Sequence, residues 1–168
     1  MAAAITLVLA DESATQALGA RLGRALQALK AGAVIYLQGD LGAGKTCLAR
    51  SLLRALGHAG AVVSPTYTIM EPYDVSGRRL LHVDLYRLSD PEELDFIGID
   101  DQYEPQGWLL IEWPERGEGR IPAADLRVTL SVPGEGREAG LAADSARGQV
   151  LLERLADLSK IDGDTQNF

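Results

Sequence analysis

Residues Gly39-Asp40-Leu41-Gly42-Ala43-Gly44-Lys45-Thr46 spell a complete G-x-x-x-x-G-K-T, the spacing of a phosphate-binding loop. At this composition such a match arises by chance on the order of 0.003 times per chain, so the motif carries weight. The glycines let successive backbone N–H groups turn inward as an anion nest, and the helix opening at Lys45 adds its N-terminal dipole. In such a loop the lysine, here Lys45, reaches the β- and γ-phosphates of a nucleotide, and the Thr46 hydroxyl binds Mg2+. Gly39, Asp40, Leu41, Gly42, Ala43, Gly44, Lys45, Thr46 and Cys47 are therefore the predicted nucleotide contacts. The Cys47 side chain itself reads as a small buried hydrophobe.

A phosphate loop needs acids to hold metal and water. Two apolar runs end in one: Leu80-Leu81-His82-Val83-Asp84 and Leu109-Leu110-Ile111-Glu112. In a parallel sheet the strand C-termini gather at the ligand edge, which puts both acids near the phosphates. One coordinates Mg2+ beside Thr46 and the other orients or deprotonates the attacking water. The pattern alone leaves open which does which. Among lesser candidates, Thr66, after Ser64-Pro65, reads as loop structure or as a switch threonine sensing the γ-phosphate, and Trp113, next to Glu112, reads as nucleotide neighbour or aromatic core. Arg87 reads as a phosphate contact or a solvated surface group. Arg116 and Arg120 read as a kinase-like lid or a solvated loop. His58 and His82 lack metal-ligand spacing.

Composition narrows the function classes. The 168 residues carry 16 basic and 24 acidic side chains, a net charge of −8, the wrong sign for a protein that coats DNA or RNA directly. The only asparagine is Asn167, so the N-K-x-D reader of guanine is impossible. Asp95-Phe96-Ile97-Gly98 matches a GTPase D-x-x-G, but it follows a helix start rather than a buried strand. One cysteine excludes an intrachain disulfide and suits a reducing compartment. The apolar start, Ala2 to Ala10, lacks a basic n-region, and no run approaches the roughly 18 residues of a membrane span. The expectation is a cytoplasmic protein with one domain over 1–159 and a polar, frayed tail over 160–168.

The elements that must position these residues follow from periodicity. Ile5–Leu9 reads as an edge strand. A helix is predicted over about 13–30, with capping-box spacing from Ser13 to Gln16 and a stripe of Leu18, Leu22, Leu26 and Leu29. Ala33–Leu37 is a strand buried on both faces, followed by the glycine-rich turn and a helix from Lys45 with Leu48, Leu52, Leu53 and Leu56 inward. Thr68–Asp74 and Arg79–Leu85 read as two strands around Val75-Ser76-Gly77. Ser89-Asp90-Pro91 starts a helix. Gly107–Glu112 and Leu126–Val132 are further strands, and 144–158 is a final helix. Alternating strands and helices predict an α/β, doubly wound P-loop NTPase, its central sheet mostly parallel, flanked by helices and partly antiparallel.

These pieces, in this order, resemble the TsaE (YjeE) family, small bacterial P-loop ATPases of tRNA threonylcarbamoyladenosine synthesis. The resemblance rests on the phosphate loop, Ser64-Pro65-Thr66-Tyr67, His82-Val83-Asp84-Leu85-Tyr86-Arg87-Leu88 and Ile111-Glu112-Trp113-Pro114-Glu115, and covers roughly residues 5–132. It implies ATP and Mg2+ as ligands, slow hydrolysis, and work with the TsaD and TsaB proteins, which modify the adenosine beside the tRNA anticodon. TsaE would then meet tRNA only through that complex, resetting it between turnovers. Carried over residue by residue, Lys45 binds phosphate, and Thr46 with Glu112 coordinates Mg2+. Asp84 becomes the water-orienting or outer acid, Thr66 the switch, and Trp113 the aromatic beside the nucleotide. Cys47 departs from the second hydroxyl residue often found after the lysine. The competing readings are a nucleotide-gated binding module with incidental hydrolysis and a small-molecule P-loop kinase.

Overall fold

The computed structural model describes residues 3–65 and 67–164, with side chains described as far as Ala156. Seven strands form one sheet: β1 (Ala4–Leu9), β2 (Ala33–Gln38), β3 (Met70–Val75), β4 (Arg78–Asp84), β5 (Trp108–Glu112), β6 (Leu126–Ser131) and β7 (Arg137–Ala143). Their order is β1-β7-β6-β2-β5-β4-β3. Strands β6, β2, β5 and β4 pair in parallel, while β7 and β3 run against them at the two flanks. The expected mixture of a parallel centre with an antiparallel part is what the register gives, and β1 is an edge as predicted.

Alternation along the strands sends side chains to two different cores. Ile35, Leu37, Leu80, Trp108 and Leu110 face one side, where they pack with Leu22 and Leu26 of α1 (Glu12–Ala28), Leu48 and Leu52 of α2 (Lys45–Ala55), and Leu151 and Leu155 of α5 (Ala146–Asp164). Val34, Leu81, Val83, Leu109 and Ile111 face the other side. That side is covered only by short pieces, α3 (Leu94–Ile97), α4 (Ile99–Gln102) and two 3-10 turns. The sheet is therefore wound heavily on one face and thinly on the other. Helices α1 and α2 touch backbone to backbone: a Cβ added at Gly19 would lie 2.5 Å from the Leu48 carbonyl oxygen. This contact fixes the axis of the helix that starts at the phosphate loop. Among the described residues no helix is long and apolar enough to cross a membrane.

Local departures from the sequence expectation have physical causes. The cap of α1 is Asp11, whose Oδ1 accepts from the Ala14 N–H at 2.9 Å. The expected capping box at Ser13–Gln16 does not form, because Asp11 starts the helix earlier and leaves Ser13 inside its first turn. The helix expected after Ser89 does cap at Asp90, but it is a 3-10 turn followed by α3. Gly98, at φ 83°, ends α3. The β3–β4 turn is Ser76-Gly77 with φ of 52° and 74°, a two-residue hairpin turn that matches strand twist. Strand β7 falls in a stretch where no element was predicted. Helix α5 runs to Asp164, beyond the expected end at 158, and residues 165–168 lie outside the described residues.

One glycine shows how tightly α5 docks. A Cβ at Gly148 would sit 1.7 Å from the Asp125 carbonyl oxygen. Asp125 is itself a tie point, taking the Val34 N–H at 2.8 Å and the Ser145 hydroxyl at 2.6 Å. Gly148→Ala would ordinarily help a helix, yet here it must push α5 off β6. We expect a loss of about 3 kcal/mol or more, a melting temperature lower by roughly 6–12 °C, read by thermal unfolding.

Candidate functional site

Strand β2 ends at Gln38, and the chain must turn back at once to enter α2. Gly39, Gly42 and Gly44 make that turn with φ of 144°, 81° and 111°, values that side-chain-bearing residues rarely adopt. Gly39 also lies against the β6 end, where a Cβ would meet the Leu130 carbonyl oxygen at 2.5 Å. The result is a loop whose backbone opens onto the N-terminus of an 11-residue helix, the geometry of an anion nest.

Register brings both acids to this edge. Leu37 of β2 pairs with Glu112 of β5, and Glu112 pairs with Asp84 of β4. Asp84 and Glu112 therefore close two adjacent parallel strands beside the phosphate loop, Glu112 the nearer. Both are buried. The Glu112 Oε2 is 2.8 Å from His82 Nε2, and His82 is only 1% exposed. His82 lies two residues before Asp84 on the same strand face. The Asp84 Oδ1 accepts from the Tyr86 N–H at 2.9 Å, which holds the carboxylate at the strand end.

Lys45 is the cation of the site. It is 6% exposed, its ammonium donates to the Gly39 carbonyl, and it sits 3.8 Å above the Trp113 ring centroid. Burial pulls its pKa below the usual lysine value, while Glu112, Asp84, Glu115 and Asp40 push the other way. Trp113 reaches this position because the chain turns left-handed immediately after Glu112, at φ 56°, an uncommon conformation for a bulky residue. Its indole is in turn 5.1 Å from the Tyr86 ring.

A cavity of about 370 Å³ gathers these groups. Leu41, Gly42, Gly44, Lys45, Thr46, Cys47, Asp84, Glu112 and Trp113 all line it. Gly39, Asp40 and Ala43 line a neighbouring hollow behind the loop with Leu41 and Gly42. Cys47 is half-buried at the cavity wall rather than in the core, because the first turn of α2 faces the opening. Its thiol is pushed up by burial and by Glu12, against a downward pull from Arg137 and Arg50. Thr66 lies outside the described residues. Arg87 stacks over Tyr67 at 4.3 Å. Arg120 is tied to Asp95 at 2.5 Å, which leaves the proposed lid arginine facing an acid. Arg116 lies 5.3 Å from the Tyr86 ring and 5.7 Å from Trp113.

Sequence reasoning missed three lining groups: Glu12, Arg137 and Tyr86. Arg137 comes from β7, which carries no motif, so nothing local marked it. His82 had a usable signal, since any residue two before Asp84 on a strand shares its face.

Residues 9–139 match the family described as "Threonylcarbamoyl adenosine biosynthesis protein TsaE". A curated Haemophilus influenzae relative, named tRNA threonylcarbamoyladenosine biosynthesis protein TsaE, is 44% identical over 124 residues, 74% of this chain and 78% of its own. A Bacillus subtilis relative of the same name is 36% identical over 128 residues, 76% and 80% of the two chains. A crystal structure of Bacillus subtilis YdiB superposes with a TM-score of 0.76 at 26% identity, covering 95% of this chain and 98% of that one. With the family match and both relatives spanning most of its length, the chain belongs to the TsaE family.

Proposed function

We propose that this chain binds ATP with Mg2+, hydrolyses it slowly, and serves as the accessory ATPase of the TsaB–TsaD complex that makes threonylcarbamoyladenosine in tRNA. The observation that carries the reading is the convergence of Lys45, Thr46, Asp84 and Glu112 on one cavity beside a glycine-built anion nest. Family membership supplies the pathway: the relatives' names place them in tRNA threonylcarbamoyladenosine biosynthesis. The acidic surface suits a protein that meets tRNA through partners rather than by coating phosphates.

The donors fit Mg2+. A threonine hydroxyl and carboxylates are hard oxygens, and this ion is ordinarily held by one or two of them together with substrate phosphates and water. Among the described residues no group of three or more His, Cys, Asp or Glu comes together to hold a metal, so phosphates and water would complete the shell. Thr46 and Glu112 would hold the metal, which would supply neutralisation of the charge building on the phosphate oxygens. Glu112 is suited to the task because His82 holds its Oε2 in place. Asp84, one strand further out, orients the attacking water, and Lys45 leaves the Gly39 carbonyl to meet the β- and γ-phosphates. Trp113 lies beside the phosphate end of the nucleotide. Thr66 is the proposed γ-phosphate switch. The place of action is the cytoplasm, with its tRNA.

A reconstituted modification assay tests this. With a cognate TsaB–TsaD pair, sustained multiple-turnover formation of threonylcarbamoyladenosine should require this chain and ATP, and Lys45→Ala should fail to support it. Equal modified tRNA with and without the chain would refute the accessory role.

A further inference from the structure

Arg116 has no task in the proposed hydrolysis, yet it stands beside the site. It lies in the 3-10 turn Pro114–Gly117, directly after Glu112 and Trp113. The backbone of that turn is fixed. Pro114 and Gly117 are buried, and the Arg116 N–H donates to the Trp113 carbonyl at 3.1 Å. A Cβ at Gly117 would meet Leu85 Cδ1 at 2.7 Å, so the turn has no room to shift. The Arg116 side chain is exposed, and among the described residues no carboxylate pairs with it. Its neighbours in sequence are engaged: Arg120 with Asp95 and Glu92, Arg127 with Asp144.

The guanidinium rests on aromatic rings instead. Its Cζ is 5.3 Å from the Tyr86 ring centroid and 5.7 Å from that of Trp113. Both rings line the cavity, and Trp113 also carries Lys45 Nζ at 3.8 Å. A cation over a ring is held weakly at an exposed site, whereas a guanidinium on phosphate makes charge-assisted, bidentate bonds. The stack therefore keeps this cation beside the cavity without committing it.

Hydrolysis creates a demand for such a group. The water oxygen bonds to the γ-phosphorus as the bond from that phosphorus to the β–γ bridging oxygen breaks. The electron pair of that bond leaves with ADP. One water proton stays on the released phosphate, and the other passes to solvent. Negative charge thus grows on the bridging oxygen, and a donor there binds the transition state more tightly than the substrate.

We propose that Arg116 is a catalytic residue of this site, leaving Tyr86 and Trp113 to donate to the bridging and γ-phosphate oxygens as that bond breaks. The proposal rests on the ATPase reading above and gives slow turnover a cause, since the guanidinium must leave its stack before it acts.

The full chain with Mg2+ and a cognate TsaB–TsaD pair provides the test. Arg116→Ala should lower kcat at least about tenfold, with ATP affinity, read by calorimetry, within about twofold of wild type. Arg116→Lys keeps the charge without the fork and should recover only part of the rate. Added guanidinium, below denaturing concentrations, should revive Arg116→Ala and not Lys45→Ala. ADP with aluminium fluoride, a mimic of the transferring phosphoryl group, should bind Arg116→Ala at least about tenfold more weakly than wild type. Unchanged kcat in Arg116→Ala overturns the proposal and leaves the ATPase reading intact. ATP affinity falling as far as kcat also overturns it, since the arginine would then serve the ground state. A rate loss that disappears as the pair is raised makes Arg116 an interface residue and overturns it too. Wild type no faster than Lys45→Ala overturns both readings.

Discussion

Replacing Lys45 with alanine is expected to weaken ATP binding by at least about 100-fold, the loss of about 3 kcal/mol in charge-assisted contacts to phosphate. The structure also predicts what this change will not do. Burial outweighs the four acids around the ammonium and lowers its pKa, so the folded protein holds that proton less tightly than the unfolded chain. The penalty is fully present below the lowered pKa and is relieved as pH rises towards the ordinary lysine value. At neutral pH the alanine variant should therefore melt no lower than wild type. Calorimetry with ATP and thermal unfolding check the two halves together. Binding lost along with the fold would contradict the placement of Lys45 as a functional rather than structural group.

The second large effect lies one layer down. His82 is 1% and Glu112 3% exposed, and they share a 2.8 Å hydrogen bond. His82→Leu fills the space but leaves a buried carboxylate without its donor. Breaking a buried pair from one side costs about 3 kcal/mol or more, whereas replacing both partners by apolar groups can cost little. His82→Leu should thus lower the unfolding free energy by about that amount, and His82→Leu with Glu112→Leu should recover much of it, a coupling of roughly 1–3 kcal/mol. His82→Gln, whose amide reaches nearly as far as Nε2, should retain most of the stability. Denaturant unfolding of wild type, His82→Leu, Glu112→Leu and the double variant measures the cycle, with His82→Gln alongside. Additive losses would mean that His82 does not support Glu112.

How much of this was legible depended on how local each signal is. The phosphate loop is eight consecutive residues, and both acids end apolar runs, so pattern alone puts them at one sheet edge. Pairing partners were not local. Register alone shows Glu112 beside β2 and Asp84 one strand out, and side-chain packing alone shows His82 on Glu112. Strand β7 was illegible because Arg137–Ala143 is rich in alanine and glycine, which favour no strand. It is extended because β1 and β6 pair with both its edges, a case of context overriding propensity. Missing β7 meant missing Arg137, and with it part of the cavity lining. Cys47 was misread for a related reason: the helical stripe is clear, but only the docking of α2 shows that its first turn opens to the cavity.

In the proposed function the nest, Lys45, Thr46, Asp84 and Glu112 act together as an ATPase site that answers to partners. Phosphate release from ATP by the purified chain tests it most directly, measured alone and with a cognate TsaB–TsaD pair, with and without Mg2+, and with Lys45→Ala as the blank. Slow, Mg2+-dependent release that rises with the pair and vanishes in the variant is the predicted result. Release equal to that of Lys45→Ala under every condition would contradict it.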